Sequence, residues 1–445
     1  MTKKFSSTIL SCFVWGSGQY FIGKQKIKGF LFFAMQVLLL GIELGTGYWF
    51  NYFAGEIENF QIRLYGGYFT KGIWGFITLG AVPGVYGDHS TMLLINGIIS
   101  ALTLLLFLAV YIWNIIDAYH TGKEIDHTHS YLSSHDYGKK LYKRLFPYIV
   151  LTPVILILAF IILMPIIFSI LTAFTNYNNS HLPPANLVSW VGLENFSKIF
   201  TVPIWTQTFL SVLVWTITWA ICATFSTYFM GLFQALLLNS KCVKYKSFFR
   251  AIYILPWAIP GMISLMVFRN LLNGQFGPLN QFLIDIGLIS ERIPFLTDPV
   301  IAKLSIITVN LWLGFPAFMV MLLGVMSNQD PALYEAAEID GANKFIVFWR
   351  IKFPLLVKAT APLVIMNLAS NFNAFGSIYF LTGGGPANSS YQFAGDTDIL
   401  ISWIYKLTLD QRMYNMAAVM NILIFIFIGS VSFWNFRRTT SFKEI

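Results

Sequence analysis

Long apolar segments recur along this chain and leave almost no room for a soluble domain. Each of eight segments has the roughly 20 mostly apolar residues that a helix needs to cross a bilayer. They fall at residues 29–50, 91–117, 145–174, 203–238, 251–268, 304–326, 360–381 and 413–436. Only 11% of the residues are charged, well below the share in a soluble globular chain. The sequence therefore predicts an all-α polytopic membrane protein with about eight transmembrane helices.

Lysine and arginine lie mainly on one side of the predicted spans. Of the 29 such residues, 21 fall in the N-terminus and in every second loop that follows it. Loops rich in these residues stay in the cytoplasm. We therefore expect both termini to be cytoplasmic, and we attribute the basic surplus to membrane topology, with no nucleic acid as partner.

The predicted spans divide into an N-terminal pair and a block of six. Residues 1–28 contain an apolar stretch that glycines interrupt, and we expect a retained interfacial or re-entrant segment there. Residues 29–117 form two spans, and residues 118–144 form a charged cytoplasmic loop whose histidines lack the spacing of metal ligands. Residues 145–445 form the six-helix core.

Glu43 is an acidic residue well within a predicted span. Such a position indicates function by default, unless the side chain reaches the membrane interface. The three cysteines show no paired spacing and no phosphate-binding GK[ST] motif occurs in the chain, so we predict neither a metal site nor a catalytic residue.

The loop after the sixth predicted span has the sequence of a short helical hairpin. Asp330 can cap a helix whose first turn starts at Pro331. Gly341 suits the left-handed residue that ends this helix, and Asn343 can cap a second one that ends before Pro354. An ordinary solvated loop is the alternative, and for an isolated Glu-Ala-Ala tripeptide we would favour it.

The motif extends beyond that tripeptide. Glu335-Ala-Ala is followed by Asp340-Gly-Ala and, thirteen residues after Gly341, by Pro354. This pattern resembles the EAA loop of the permease subunits of binding-protein-dependent ABC importers, which docks into the ATPase subunit. The residues that the resemblance assigns to coupling are Glu335, Ala336, Ala337, Asp340 and Gly341.

The resemblance covers about residues 145–444 and is closest to the larger permease subunit of maltose/maltodextrin importers. Stretches similar to that subunit are Ile254-Leu-Pro-Trp-Ala-Ile-Pro260, Asn310-Leu-Trp-Leu-Gly-Phe-Pro316, Asn371-Phe-Asn-Ala-Phe375, Leu381-Thr-Gly-Gly-Gly-Pro386 and Ala394-Gly-Asp-Thr-Asp398. Enterobacterial members of the family carry a large external domain between their third and fourth spans, where this chain has only residues 175–202. The two N-terminal spans ahead of a six-helix ABC permease core also match that subunit.

The resemblance implies a non-enzymatic permease subunit of an ATP-driven importer for maltose/maltodextrin-type oligosaccharides in the bacterial cytoplasmic membrane. Its expected partners are a second homologous permease, two copies of a cytoplasmic ATPase, an extracytoplasmic sugar-binding protein, the oligosaccharide and membrane lipid. ATP and Mg would be used by the ATPase, and we expect no cofactor on this chain. The alternatives are raffinose-type or multiple-sugar cargo and, less favoured, a self-sufficient secondary transporter.

A pathway for a neutral sugar needs aromatic faces, amides and hydroxyls rather than fixed charges. No Asp, Glu, Lys or Arg lies within residues 304–329 or 359–395. Polar and small residues share helical faces of the fifth to seventh spans, where the resemblance places the sugar. The candidate sugar-binding residues are Trp257, Gly261, Asn310, Leu313, Gly314, Asn367, Ser370 and Asn371. Hydrogen bonding between helices is the alternative role for the buried Asn and Ser residues.

Overall fold

Most of the chain is helical, as the sequence predicts. The computed structural model describes residues 2–53, 67–84, 87–128, 134–240 and 243–438. Besides helices, these residues form two isolated β-bridges, one between Thr175 and Trp190 and one between Ala387 and Gly395. The chain divides into two compact units, Met1–Asn195 and Phe196–Ile445. The prediction of an all-α polytopic protein is confirmed.

The first unit is built around one long helix, α4. Its helices are α1 (Lys3–Phe13), α2 (Lys26–Phe53), α3 (Tyr68–Thr78), α4 (Ser90–Thr128), α5 (Ser134–Ile157) and α6 (Met164–Thr172). A π-helical turn, Gly18–Ile22, lies between α1 and α2, and a second one, Leu158–Leu163, joins α5 to α6. Both α1 and α3 pack against α4. The predicted loop at 118–144 is largely helical, because α4 extends to Thr128 and α5 starts at Ser134.

Glu43 has a structural partner in α3, a short apolar helix that the sequence analysis missed. Its carboxylate accepts hydrogen bonds from the backbone N–H groups of Gly67, at 2.9 Å, and Phe69, at 2.8 Å. The Thr70 hydroxyl donates a third. The first N–H groups of a helix lack partners within it, so Glu43 caps α3 from the neighbouring helix α2.

The second unit contains the remaining helices. They are α7 (Glu194–Thr201) at the boundary, α8 (Pro203–Asn239), α9 (Lys246–Ala258), α10 (Gly261–Leu271), α11 (Pro278–Asp285), α12 (Pro299–Ser327), α13 (Ala332–Ile339), α14 (Lys344–Val347), α15 (Phe353–Phe372), α16 (Phe375–Thr382), α17 (Leu400–Leu409) and α18 (Tyr414–Arg438). The helix α8 packs against both α12 and α15. Trp219 on α8 is fully buried in the apolar core between them.

Within the described residues, six helices are long and apolar enough to cross a membrane. They are Lys26–Thr46, Ser90–His127, Phe146–Thr172, Pro203–Asn239, Pro299–Ser327 and Lys344–Phe372. The predicted span at 251–268 is a broken one, because α9 and α10 are bent by 88° where they meet. Pro256 and Pro260 flank this break and lack the N–H groups that a continuous helix requires. The predicted eighth span coincides with α18, of which side chains up to Ser430 are described.

The prediction that a short helix ends before Pro354 is wrong. Helical backbone continues from Lys344 to Phe372 through a π-helical turn, Phe348–Lys352, that joins α14 to α15. Pro354 is the second residue of α15. In the π-helical turn before it, backbone hydrogen bonds join residues five apart instead of four, and this local change lets the helix continue through a proline. The seventh span therefore starts well before residue 360.

A loop between α16 and α17 is closed by a buried ion pair. The Asp398 carboxylate lies 2.5 Å from the Lys406 ammonium. It also accepts hydrogen bonds from the Gly395 N–H, at 2.7 Å, and the Ser402 hydroxyl, at 2.8 Å. Burial raises the pKa of the Asp398 carboxyl, and Lys406 opposes that shift. Gly384 lies directly against this carboxylate, since an added Cβ would be 1.9 Å from the Asp398 Oδ1.

Two neighbouring glycines test this packing. Both Gly383, with φ of +62°, and Gly384, with φ of +80°, are left-handed, and only Gly384 faces Asp398. We expect Gly383→Ala to cost about 1 kcal/mol for its backbone conformation alone. Gly384→Ala should cost roughly 3 kcal/mol or more, because it also disturbs a buried charge pair. Thermal unfolding of the purified chain in detergent measures the difference, and equal melting temperatures would contradict the packing.

Candidate functional site

The break between α9 and α10 opens a cavity beside α12. Its volume is about 440 Å³, and the lining residues are Pro256, Trp257, Ala258, Ile259, Pro260, Gly261 and Leu313. Trp257 is 61% exposed, so the face of its indole is available to a ligand. Nothing lies within 4 Å of the place where a Cβ on Gly261 would be. The cavity thus combines an aromatic side chain with the exposed backbone of a broken helix, and its lining carries no charge.

Asn371 makes contacts between helices in this structure. Its side chain is buried, and the Nδ2 donates to the Thr224 Oγ1 at 2.9 Å and to the Asn367 Oδ1 at 3.1 Å. Its backbone carbonyl accepts a hydrogen bond from the Trp219 Nε1 at 3.1 Å. Asn371 therefore fastens α15 to α8, which is the alternative role that the sequence analysis left open.

The structure brings three of the predicted sugar-binding residues to one cavity and leaves the others outside its lining. Trp257, Gly261 and Leu313 line it. Gly314 faces α8, because an added Cβ would lie 2.8 Å from the Thr227 Cγ2. Ser370 is exposed, whereas Asn310 and Asn367 are half-buried. Whether these side chains meet a sugar stays a prediction.

Two kinds of residue at this site were not predicted from the sequence: two that line the cavity and two that bond to α15. Ala258 and Ile259 line the cavity because the helix breaks between two prolines, and the Pro-Trp-Ala-Ile-Pro spacing was the available signal. Thr224 and Trp219 bind α15 through hydrogen bonds. No sequence pattern marks those two, since threonine and tryptophan are ordinary residues of a spanning helix.

The predicted coupling loop forms the helical hairpin that its sequence indicates. The helix α13 begins after Pro331, and the Asp330 Oδ1 accepts from the Ala332 N–H at 2.9 Å. Gly341 is left-handed, with φ of +80°. The Asn343 Oδ1 accepts from the Ile346 N–H at 2.8 Å and caps the next helix. These local predictions are confirmed.

The exposed surface of this hairpin combines small, acidic and large apolar side chains. Glu335, Ala336, Asp340 and Gly341 are exposed, whereas Ala337 is buried against its own unit. Large apolar side chains lie exposed beside them: Ile339 is 86% exposed, Phe345 70% and Trp349 50%. Apolar side chains at this density are typical of a surface that another protein covers. The sequence motif marks the small and acidic residues of this surface, but these three apolar residues lie outside the motif.

Thermal stability can distinguish the role of Asn371 from that of its neighbour Ser370. Asn371→Ala removes the donor to Thr224 in a buried site, and we expect a loss of about 1–3 kcal/mol. Ser370→Ala changes an exposed hydroxyl, and we expect less than about 0.5 kcal/mol. Thermal unfolding in detergent without sugar measures both. An unchanged melting temperature for Asn371→Ala would refute its role between helices.

Comparison with known proteins places the chain in a family. Residues 227–439 match the family described as binding-protein-dependent transport system inner membrane component. The galactooligosaccharides transport system permease protein GanP of Bacillus subtilis is 40% identical over 430 residues, 96% of each chain. The maltodextrin transport system permease protein MdxF of the same organism is 36% identical and covers 99% of this chain and 97% of its own.

A third relative and a solved structure support the same family. The maltose/maltodextrin transport system permease protein MalF of Escherichia coli is 34% identical over 60% of this chain and 52% of its own. A chain from the crystal structure of a bacterial ABC transporter involved in the import of the acidic polysaccharide alginate has a TM-score of 0.55, at 25% identity over 68% of this chain and 99% of that one. With its spanning helices and its family match, this chain belongs to the binding-protein-dependent transport system inner membrane components, as a permease subunit of an ABC sugar importer and not an enzyme.

Proposed function

We propose that this chain carries a neutral oligosaccharide, of the maltodextrin or galactooligosaccharide kind, across the bacterial cytoplasmic membrane into the cell. The observation that carries the proposal is the uncharged cavity beside the helix break, where Trp257 offers an aromatic face. A pyranose ring presents C–H groups that pack on such a face, and its hydroxyls need polar partners when they leave water. The backbone of the exposed residues Ala258, Ile259 and Gly261 at the break would supply partners of that kind.

The absence of charge at the cavity argues for neutral cargo. Its seven lining residues include no Asp, Glu, Lys or Arg. An acidic polysaccharide such as alginate would bring carboxylates into this space, and a buried carboxylate without a cation is costly. The names of two relatives, which concern maltodextrin and galactooligosaccharides, support neutral sugars as the class.

Transport requires further chains. We propose a second homologous permease, two copies of a cytoplasmic ATPase that uses ATP and Mg²⁺, and an extracytoplasmic sugar-binding protein as partners. A bacterial alginate ABC transporter with a similar fold forms a complex with a periplasmic protein that carries an alginate pentasaccharide, which supports the last of these partners. The distribution of lysine and arginine supports cytoplasmic termini and a cytoplasmic α13.

We infer that α13 and the residues after it receive the ATPase. Its exposed Glu335 and Gly341 lie next to the apolar side chains of Ile339 and Phe345. ATP binding can move this loop only if the ATPase binds two conformations of the permease with different free energies. The sugar cavity would open to opposite sides of the membrane in those two conformations.

The choice of sugar can be tested with the assembled complex in vesicles. We expect maltodextrins or galactooligosaccharides, and not alginate oligosaccharides, to stimulate its ATPase activity. Trp257→Ala should raise the KM for sugar roughly tenfold, and Trp257→Phe, which keeps an aromatic ring, much less. Stimulation by the acidic sugar alone, or an equal KM for both variants, would contradict the proposal.

The coupling loop gives a second test. We expect Glu335→Lys and Gly341→Asp to weaken binding of the ATPase subunit by roughly tenfold or more, because each changes charge or volume on an exposed docking surface. Glu291→Lys makes the same charge change on the exposed loop before α12 and serves as control. Co-purification of the ATPase and sugar uptake are the measurements. Normal docking and uptake in both loop variants would refute the assignment.

A further inference from the structure

The first residues of the chain pack along α4 in one direction, from Asp126 to Tyr111, and the following residues pack along α4 in the opposite direction. The backbone N–H groups of Lys3 and Lys4 donate to the two carboxylate oxygens of Asp126, each at 3.0 Å. At the other end of α1, the Tyr111 hydroxyl donates to the carbonyl of Cys12 at 3.1 Å. Asp126 and Tyr111 lie about 22 Å apart along a helix that rises 1.5 Å per residue. The 11 residues of α1 are themselves about 16 Å long, which is close to the thickness of one leaflet of the hydrocarbon core.

The chain turns at the level of Asn114. The Gly16 N–H donates to the Asn114 Oδ1 at 2.9 Å, and the Gln19 Nε2 donates to the Asn114 carbonyl at 2.9 Å. The π-helical turn then descends along α4, since a Cβ on Gly23 would lie 2.7 Å from the Thr121 Cγ2. The segment thus ends on the side of the unit from which it started, and it is a hairpin rather than a span.

The polar side chains of the hairpin point inward. Ser7, Ser11, Gln19 and Asn114 have no exposed surface. The Ser11 hydroxyl donates to the Gln19 Oε1 at 2.8 Å, and the Asn114 Nδ2 donates to the Ser11 carbonyl at 2.9 Å. Hydrogen bonds of this kind hold two apolar helices together where no water is available.

Apart from Trp15, which is buried, the large apolar side chains of the hairpin point outward. Phe13, at the turn, is 78% exposed, Phe21 is 70% exposed and Phe5 is 57% exposed. A helix on an aqueous surface has the opposite arrangement, with its apolar side chains packed against the protein. The basic residues of the segment lie at its open end and none lies at the turn; they are Lys3, Lys4, Lys24 and Lys26.

We propose that residues 3–25 form a re-entrant hairpin embedded in the membrane, with lipid acyl chains covering Phe13 and Phe21. Anionic headgroups then lie beside Lys24 and Lys26, which matches the charge at the open end of the hairpin. The buried side chains of Gln19 and Asn114 hold the hairpin to α4 and keep its polar groups away from the hydrocarbon. The interaction surface is independent of the sugar cavity, and its partner is lipid.

The test places a fluorophore on single cysteines of the full chain after alanine replaces the three native ones. The chain is reconstituted into vesicles of phosphatidylethanolamine and phosphatidylglycerol. At Phe13→Cys we expect quenching by lipids with spin-labelled acyl chains and none by aqueous iodide. At Thr2→Cys and Lys24→Cys we expect quenching by iodide from one and the same side.

Three results would overturn the proposal. Iodide quenching at Phe13→Cys would place the turn in water. Protection of that position from both quenchers would mean that protein covers it. Iodide quenching of Thr2→Cys and Lys24→Cys from opposite sides would mean that the segment spans the membrane.

A pair of variants tests whether the buried polar groups hold the hairpin in place. We expect Gln19→Leu to increase iodide access to Phe13→Cys roughly tenfold, because Asn114 and Ser11 lose a buried partner. Thr8→Val is the matched control, since the Thr8 hydroxyl bonds only to the Lys4 carbonyl of its own helix, at 2.8 Å. Equal iodide access in the two variants would contradict a holding role for Gln19.

Discussion

Hydrogen bonds between α8 and the segments packed on it determine the arrangement of the second unit. Trp219 binds the carbonyl of Asn371, and the hydroxyls of Tyr228 and Thr360 lie 3.0 Å apart. Nearer the other end of α8, the Trp215 Nε1 donates to the carbonyl of Thr397 at 3.1 Å. In hydrocarbon an unpaired polar group costs several kcal/mol, so each of these pairs restricts how the helices can slide. These hydrogen bonds therefore hold α8 in a fixed position relative to α15, to α16 and α17 through Thr397, and to the candidate cavity beside α12.

The same constraint explains why the cavity lies at a broken helix. Backbone groups that lack a helical partner are tolerated at membrane depth only where they face protein or an aqueous space. The break exposes Ala258, Ile259 and Gly261 at the cavity, and Trp257 next to them supplies an apolar face. A neutral sugar needs both kinds of contact and no ion pair. The geometry thus gives a reason, apart from family membership, to expect uncharged cargo.

The sequence predicted the helical class, most of the spans and the hairpin that bears Glu335, because apolar length, proline, glycine and capping residues act locally. It could not predict that Asn371 donates to Thr224, since this contact depends on which residues of distant helices meet. Glu43 is a similar case, because its partners at Gly67 and Phe69 come from a short helix below the length of a span. Pro354 predicted a helix end that the structure does not have. The π-helical turn before it changes the hydrogen-bond pattern, so the N–H group that proline lacks does not end the helix.

The continuous helical segment from Lys344 to Phe372 directly follows the hairpin that bears Glu335. Its 29 residues make a rod about 43 Å long. One end follows Gly341 and the other carries Asn367 and Ser370. A π-helical turn and Pro362 lie within it, and both are features at which helices bend. If the ATPase binds the hairpin as proposed, motion there would reach Asn367 and Ser370 along one run of helical backbone, with the π-helical turn at Phe348–Lys352 as the point where the angle between its two ends can change.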